Sequence, residues 1–369
     1  MAYHDLLGVA AADATDLLEH FERATYEGRE YLHLSDTRHG VERGTVLVDG
    51  TVVRGFPKIP RTLVLDPGIR RFFDGPFAVE EKLNGYNVRL ARVGDDVLAF
   101  TRSGYVCPFT TRTVPDRLAV GDFFDDHPDL LLCGEAIGPE NPYTDHDYPT
   151  VDSLAFHVFD IRHRESGDPL SVDRRRRLCD DYGFPQARSF GVFDPASGAA
   201  AVRDVIEELD SEDREGVVMK SLDGRKLLKY TTSAANQGSL AYAFAVPFDY
   251  GPEFLFPRVM REAFQSVEFG ESEEAARARA HALGESILLP AVRAIREVER
   301  EGATGEEHTV RGPPEAIDGL FEHLERMKLR ITVLDDEVEE GERVVTFLKH
   351  SASTTDSVQS YLDGQTFRA

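Results

Sequence analysis

A chain of 369 residues with 41% hydrophobic and 29% charged side chains has room for two or three domains with a sizeable core and the balance of a soluble globular protein. Its three cysteines, Cys107, Cys133 and Cys179, are too few and too scattered for a disulfide framework or a cysteine metal cluster, and no apolar run approaches membrane-spanning length. The formal net charge of −24 excludes a protein that draws nucleic acid from afar at low salt, but leaves room for a nucleic-acid substrate held by short-range contacts.

The N-terminus, Met1-Ala2-Tyr3-His4-Asp5, lacks the basic start of a signal peptide, so a cytoplasmic protein without membrane association is expected. Residues 13–28 open with an N-cap signature and apolar residues at helical spacing, which predicts a short helix. Thr45 to Val53 is β-branched sequence around Asp49-Gly50, a hairpin signal. Arg54-Gly55-Phe56-Pro57-Lys58-Ile59-Pro60-Arg61 is a basic, proline-broken link, either a plain linker or a phosphate-contacting approach to a site. Glu80 to Arg89 then reads as strand, tight turn at Asn84-Gly85, and strand, with Lys82 at the turn mouth. Further strands are predicted over Val88–Val93, Val97–Arg102, Leu130–Glu135 and Ala155–Ile161, and helical pieces near Arg174–Asp181 and Ala199–Leu209. Arg214–Lys220 and Lys226–Tyr230 flank Asp223-Gly224, another hairpin signal. From Phe77 to Thr232 the sum is a mixed, mainly antiparallel sheet domain of the α+β class.

After Pro247 the pattern becomes mainly helical. Glu273–Glu301 is dense in Ala, Glu, Arg and Leu, with Pro290 marking a break or kink. Ile317, Leu320, Phe321, Leu324 and Met327 fall on one apolar helical stripe. Ile331–Leu334 and Val344–Leu348 flank an acidic turn and predict a hairpin, followed by a short helix near Asp356–Leu362. The expected organisation is an N-terminal α/β extension over residues 1–60, the sheet domain over 61–245, a helical region over 246–304 and a small α+β domain over 305–369.

Acidic residues are spread through every region without a long acidic tail, so the charge reads as a coat suited to a salt-rich cytosol rather than as an acidic partner-binding face. At molar salt, repulsion is screened to on the order of 3 Å.

Only seven of the 42 basic residues are lysines, and four of them, Lys82, Lys220, Lys226 and Lys229, fall at the Asn84-Gly85 turn or in one short segment. Arginine serves as a counter-charge but cannot deprotonate to become a nucleophile, so lysines kept at such places are candidates for chemistry. A lysine nucleophile needs a lowered pKa, which nearby cations or bound metal provide. Carboxylates such as Glu135 and Glu215 suit Mg²⁺ or a ribose hydroxyl, the aromatic Phe159 can stack on a base, and the remaining lysines can hold an α-phosphate. Together these are the parts of a lysyl-nucleotidyl transferase.

In this ordered set the chain resembles the covalent nucleotidyltransferase superfamily, and most closely the archaeal homodimeric ATP-dependent RNA ligases. Lys82-Leu83-Asn84-Gly85 is similar to the family's Lys-x-Asp-Gly motif, which makes Lys82 the implied site of AMP attachment. Phe100-Thr101-Arg102-Ser103-Gly104 resembles the motif whose arginine contacts the nucleotide or the 5′-phosphate end. Cys133-Gly134-Glu135 resembles the motif whose glutamate binds ribose or metal, and Phe156 to Ile161 the strand whose Phe159 would stack on adenine. Arg214 to Lys220 is similar to the metal-associated glutamate motif, implying Glu215 and Lys220, and Lys226 to Tyr230 to the final lysine motif, implying Lys229. Glu81 and Asn87 fall beside the nucleotide in similar enzymes. Lys226 is read either as a nucleotide contact or as a hairpin-surface residue, because alternation places it and Lys229 on opposite faces. The family's aspartate is Asn84 here, which keeps hydrogen-bonding groups but loses the charge.

The resemblance implies a nucleotidyltransferase domain with an N-terminal extension and a mainly helical C-terminal region. It further implies ATP and Mg²⁺, with Mn²⁺ as an alternative, RNA with 5′-phosphate and 3′-hydroxyl ends as substrate, and a homodimer formed through Phe254–Gly302. A DNA ligase is the rival reading, opposed by the lack of a run of short strands for an OB-fold after Lys229; the same lack opposes a GTP-using capping enzyme. A non-catalytic RNA-binding protein on the same fold is a third reading, supported only by Asn84.

Overall fold

The computed structural model describes residues 6–144, 146 and 148–366; Met1–Asp5, on which the signal-peptide expectation rests, lie outside the described residues. The helix α1 (Ala11–Glu19) leads into β1 (Phe21–Tyr26), β2 (Arg29–Leu34), β3 (Val46–Val48) and β4 (Thr51–Val53), an antiparallel sheet in that order. The helix expected over 13–28 therefore ends at Glu19. Phe21, Thr25 and Tyr26 favour a strand, and Glu27-Gly28, both at left-handed φ (49° and 81°), turn it back on β2. The hairpin predicted at Asp49-Gly50 joins β3 to β4, with φ of 47° and 76°.

Past the basic link come α2 (Leu65–Phe72), β5 (Phe77–Glu81), β6 (Tyr86–Val93), β7 (Asp96–Thr101), α3 (Pro108–Arg117), α4 (Val120–Asp126), β8 (Leu130–Ile137) and β9 (Ala155–His163). Then follow α5 (Val172–Asp181), β10 (Ser189–Phe193), α6 (Ala199–Ser211), β11 (Gly216–Ser221) and β12 (Leu227–Thr231). These strands form two antiparallel sheets, β7-β6-β8-β9 and β10-β5-β11-β12.

The predicted strands on either side of Asn84-Gly85 exist, but they are not a hairpin. β5 pairs with β10 and β11, whereas β6 pairs with β7 and β8, so the chain changes sheets between Glu81 and Tyr86. The reason is steric and polar at once. The Lys82 N–H still donates to the Gly216 carbonyl at 2.8 Å, keeping register with β11, and the Asn84 N–H donates to the Tyr148 hydroxyl at 2.7 Å. Gly85 then lies so close to β8 that a Cβ there would stand 2.2 Å from the Ala136 carbonyl oxygen. Only glycine lets the crossing pass so tightly against the second sheet.

The remaining elements are α7 (Ser233–Ala245), α8 (Pro252–Glu268), α9 (Glu273–Glu301), β13 (Gly305–Gly312), α10 (Pro314–Arg326), β14 (Ile331–Glu339), β15 (Glu342–His350) and α11 (Ala352–Leu362). α9 has a Ser272 hydroxyl accepting from the Ala275 N–H at its start and Gly302 in the left-handed conformation at its end. It continues helical through Pro290 rather than breaking there. β13, β15 and β14 form a small antiparallel sheet with α10 packed on it, and among the described residues no five-stranded barrel follows Lys229.

The C-terminal segment does not have a core to itself. Val310, Ile317, Leu320, Leu324, Val345 and Phe347 share one buried cluster with Val88, Leu90, Phe109 and Leu132 of the central region. β13, α10 and β15 thus pack on the sheet domain through apolar contact. The N-terminal sheet joins the same body through a second cluster, in which Tyr31, Val46 and Val53 meet Ala91, Phe100 and Leu131. The three cysteines are free and buried, as ordinary packing residues. No helix among the described residues is long and apolar enough to cross a membrane.

Candidate active site

Between the two sheets lies a cleft of about 450 Å³, and the chain's change of sheets puts Lys82 on its wall. The Lys82 ammonium sits 2.5 Å from a Glu215 carboxylate oxygen and 3.4 Å from the Leu83 carbonyl. Glu215 immediately precedes β11, whose first residue, Gly216, holds the Lys82 backbone. One strand start therefore fixes both partners of the pair.

Glu135, on β8, also lines the cleft. Burial pushes its carboxyl up to about 7; Lys82 opposes the rise and the nearby Glu215 carboxylate adds to it. Lys229, on β12, moves the other way: burial, together with the Lys82 and Arg61 cations, brings it down to about 8. Glu135 and Glu215 thus both act on the Lys82 ammonium, two carboxylates in one place, with burial the chief cause of the rise at Glu135. That is a donor set suited to Mg²⁺, which takes one or two carboxylates and fills its other positions with phosphate oxygens and water. No group of three or more metal-ligating side chains occurs among the described residues, so any metal would depend on substrate for much of its shell.

At one end the cleft is apolar, lined by Phe56, Ile59, Phe159, Val218 and Leu227. Phe159 stands edge-on to Phe56, ring centroids 5.2 Å apart, and the Lys220 ammonium lies 6.0 Å from its ring centre. The Phe159 carbonyl accepts from the Lys220 ammonium at 2.5 Å, and Lys220 also pairs with Glu80 at 2.7 Å. Glu80 is fully buried and receives Arg175 and Arg176 as well. Burial would raise its pKa, but Lys220 and Arg175 outweigh this and hold it at about 2. Lys220 is therefore a fixed cation with its ammonium tethered at the apolar end.

Arg102, Asn87 and Glu81 line the cleft as expected. The Asn87 side-chain oxygen is buried without a hydrogen-bond partner, an acceptor facing a donor that the protein does not supply. Glu81 has Arg188 at 3.5 Å and Arg214 at 3.9 Å, while burial nonetheless raises its pKa. Lys226 is the one nucleotide-contact candidate that the fold removes from the site: it is exposed at the hairpin, paired with Asp74 and 3.2 Å from the Phe72 carbonyl. It precedes β12, so strand alternation that points Lys229 into the cleft leaves it outside.

Sequence reasoning missed Glu80, which anchors Lys220, and the cleft residues Phe56, Ile59, Tyr105, Tyr143 and His323. Met327, expected within a buried stripe, is 43% exposed and lines the cleft just beyond α10. Phe56 and Ile59 carried a readable signal, apolar residues within a basic link; Glu80 was read only as the start of the strand before Asn84-Gly85.

A family model for RNA ligase matches residues 75–231, and one for the Ligase Pab1020 C-terminal region matches residues 242–365. A solved structure described as an archaeal ATP-dependent RNA ligase, known in two forms, is 40% identical, with a TM-score of 0.92 and full coverage of both chains. The chain belongs to the archaeal ATP-dependent RNA ligase family. A putative ATP-dependent DNA ligase from Aquifex aeolicus is similar at 28% identity and a TM-score of 0.90, over 97% of this chain and 100% of that one. An uncharacterized protein of Methanocaldococcus jannaschii is 40% identical over 338 residues, 88% of this chain and 85% of its own. In this RNA ligase family member the cleft gathers a lysine at the junction, carboxylates beside it, an apolar slot, and cations between.

Proposed function

We propose that this chain joins RNA 5′-phosphate and 3′-hydroxyl ends at the expense of ATP, through a covalent lysyl-AMP and an RNA-adenylate. The observation that carries this reading is the pairing of Lys82 with Glu215 at 2.5 Å on the wall of a cleft with an apolar slot at one end. Adenine lies in that slot against Phe159, and Asn87 and Glu135 meet the nucleoside. The Lys82 amine attacks the α-phosphorus, an N–P bond forms, the bond to the bridging oxygen breaks, and pyrophosphate leaves with the electron pair. Glu215, the nearest base, takes the proton that turns the Lys82 ammonium into the attacking amine, and the second proton, shed as the N–P bond forms, passes to solvent. The RNA 5′-phosphate then takes AMP from Lys82, and a 3′-hydroxyl displaces AMP to close the strand. Lys229 and Lys220 balance charge on the phosphate under attack, with Arg102 beside them. Mg²⁺, or Mn²⁺, held by Glu215 and Glu135, would neutralise phosphate charge when bound.

The division into an extension over 1–60, an adenylation domain over 61–245, a helical region over 246–304 and a C-terminal part over 305–369 assigns the chemistry to the second part. The helical region is the proposed dimer interface: Phe256, Val267, Leu288, Leu289 and Val292 of α8 and α9 are exposed. The dispersed acidic surface supports a salt-rich cytoplasm as the working place.

The similarity to a putative DNA ligase gives a second reading, DNA joining by the same chemistry. Incubation with α-labelled ATP or GTP and Mg²⁺ in molar KCl, then with 5′-phosphorylated RNA or DNA, tests both. Label from ATP alone, passed to RNA and sealed, is the expected result; label from GTP, or sealing of DNA alone, overturns it.

A further inference from the structure

The basic link before the sheet domain ends at Arg61, and the fold lays that residue against Lys229. Arg61 and Lys229 form a parallel bridge, with the Lys229 N–H donating to the Pro60 carbonyl at 2.9 Å and the Thr62 N–H to the Lys229 carbonyl at 3.1 Å. Residues two apart on an extended chain share a face, and Ile59 lines the cleft, so Arg61 faces the cleft side of the link just beyond the lining residues. A second arginine approaches from the helical region. Arg258, on α8, lies with its guanidinium 3.4 Å from the Phe254 ring centroid and one of its terminal nitrogens donating to the Phe254 carbonyl at 2.9 Å; its Nε is buried without a partner. α8 is fixed there by Arg261, which donates to the Thr231 carbonyl at 2.8 Å, and by Asn236, which donates to the Arg258 carbonyl at 2.8 Å.

Among the described residues neither arginine is in a salt bridge, in a chain whose net charge is −24 and whose buried Arg54, Arg162 and Arg175 each face a carboxylate. Their fields overlap instead. Burial lowers both guanidinium pKa values; Arg258 is lowered further by Arg61, and Glu215 opposes the shift in each. Lys229 in turn feels Lys82 and Arg61. Arg61 is bridged to Lys229 and α8 is held at Thr231, two residues on, so four cations, Lys82, Lys229, Arg61 and Arg258, meet only two carboxylates, Glu135 and the Glu215 already paired with Lys82. The arrangement lacks several negative charges, held close together.

We propose that Arg61 and Arg258 form the site for the β- and γ-phosphates of ATP, holding the pyrophosphate that leaves when Lys82 is adenylated. The assignment rests on the proposed adenylation of Lys82. With the α-phosphate at Lys82 and Lys229, a triphosphate continues past Lys229 onto Arg61 and then Arg258. A compact diphosphate fits two half-buried planar forks better than an RNA strand does, because it presents several charges and paired oxygens within one pocket. The helical region thereby contributes a residue to the first chemical step, although its sequence carries none of the nucleotidyl-transfer motifs.

The test separates the steps. Wild type, Arg61→Ala, Arg258→Ala and the charge-keeping Arg61→Lys and Arg258→Lys are compared in single-turnover adenylation from ATP, in pyrophosphate-driven removal of AMP from the adenylated enzyme, and in sealing of RNA already carrying a 5′-adenylate. The alanine variants should adenylate about 100-fold more slowly. They should need at least about tenfold more pyrophosphate for half-maximal AMP removal and seal pre-adenylated RNA within about twofold of wild type, with the lysine variants between. Equal losses in adenylation and in sealing would overturn the proposal, because RNA phosphates or general structure would then be what the arginines serve. Thermal unfolding with inorganic pyrophosphate alone reads the site without chemistry. A stabilisation that both alanine variants lose supports it, and one that they keep in full overturns it. A wild type that binds pyrophosphate through these arginines yet never becomes adenylated would count against the ligase reading and not against the site.

Discussion

Lys229 and Lys82 face the same phosphate in the proposed reaction, but they serve it at different times. Lys82 is needed only to make the adenylate, whereas the charge of Lys229 stays useful whenever that phosphate is attacked. Losing one such contact costs about 2–4 kcal/mol of transition-state stabilisation. Lys229→Ala should therefore seal pre-adenylated RNA roughly two to three orders of magnitude more slowly than wild type, with Lys220→Ala similar or milder. Single-turnover sealing rates check this, and an unchanged rate would confine Lys229 to self-adenylation. His323 offers a different residue-level test. It is buried at the cleft's edge beside Tyr105, and burial, helped by Arg326, lowers its pKa from 6.5 to about 4. Between those values the unfolded chain binds the extra proton, so stability present above pH 6.5 is lost as the pH falls towards 4. At pH 5 the loss amounts to up to about 2 kcal/mol. Urea midpoints at pH 7.5 and pH 5 should fall further in wild type than in His323→Gln; equal falls would contradict a neutral buried imidazole.

At the scale of elements, the decisive feature is the crossing from β5 to β6. Much of the cleft was legible because its candidate residues lie within strands or one residue outside them, where alternation and turn residues leave a trace: Lys82, Glu135, Phe159, Glu215 and Lys229 all reach or adjoin the cleft. What was not legible is which strands pair. Asn84-Gly85 looks the same whether the next strand returns on the last or joins another sheet, since partner choice is decided by contacts distant in sequence, here Gly216 and Ala136. The same limit left the link that ends in Arg61 with two readings, linker or phosphate contact, because its neighbour Lys229 lies far along the chain. The end of α1 was misjudged because local helical spacing ran on into residues that the sheet claims. Lys226 was ambiguous for a simpler reason, as one residue of strand phase decides between cleft and solvent. The crossing also yields a prediction. Gly85→Ala forces a Cβ to within 2.2 Å of the Ala136 carbonyl oxygen and 2.8 Å of Ile137, so β6 must shift against β8. The expected cost is about 1–3 kcal/mol in stability, with a loss of adenylation out of proportion to it because Lys82 moves too. Denaturant midpoints and adenylation rates measured together check this; a variant matching wild type in both would show that the close approach is unimportant.

Over the whole molecule, three sequence regions converge on one cleft. The link supplies Phe56 and Ile59, the two sheets supply Lys82, Glu135 and Lys229, and α10 and its following turn supply His323 and Met327. A shared core joins these regions, so the C-terminal part acts as a fixed wall of the site. α8 and α9 present a different face outward, where Phe256 is 66% and Val267 82% exposed. Apolar surface of this kind calls for a cover, and the proposed dimer through the same helices would give it a self-complementary one. Light scattering at micromolar protein in molar KCl should give twice the chain mass, and Leu288→Glu with Val267→Glu should return it to one; a wild-type monomer would rule the interface out.

The central claim is that Lys82 carries AMP, and its most direct measurement is the site of label after incubation with α-labelled ATP and Mg²⁺ in molar KCl. Peptide mapping of the adenylated protein should place AMP on Lys82. Lys82→Ala should take up no label, yet still seal RNA supplied with a 5′-adenylate. Label on another residue, or wild-type labelling of Lys82→Ala, would contradict it.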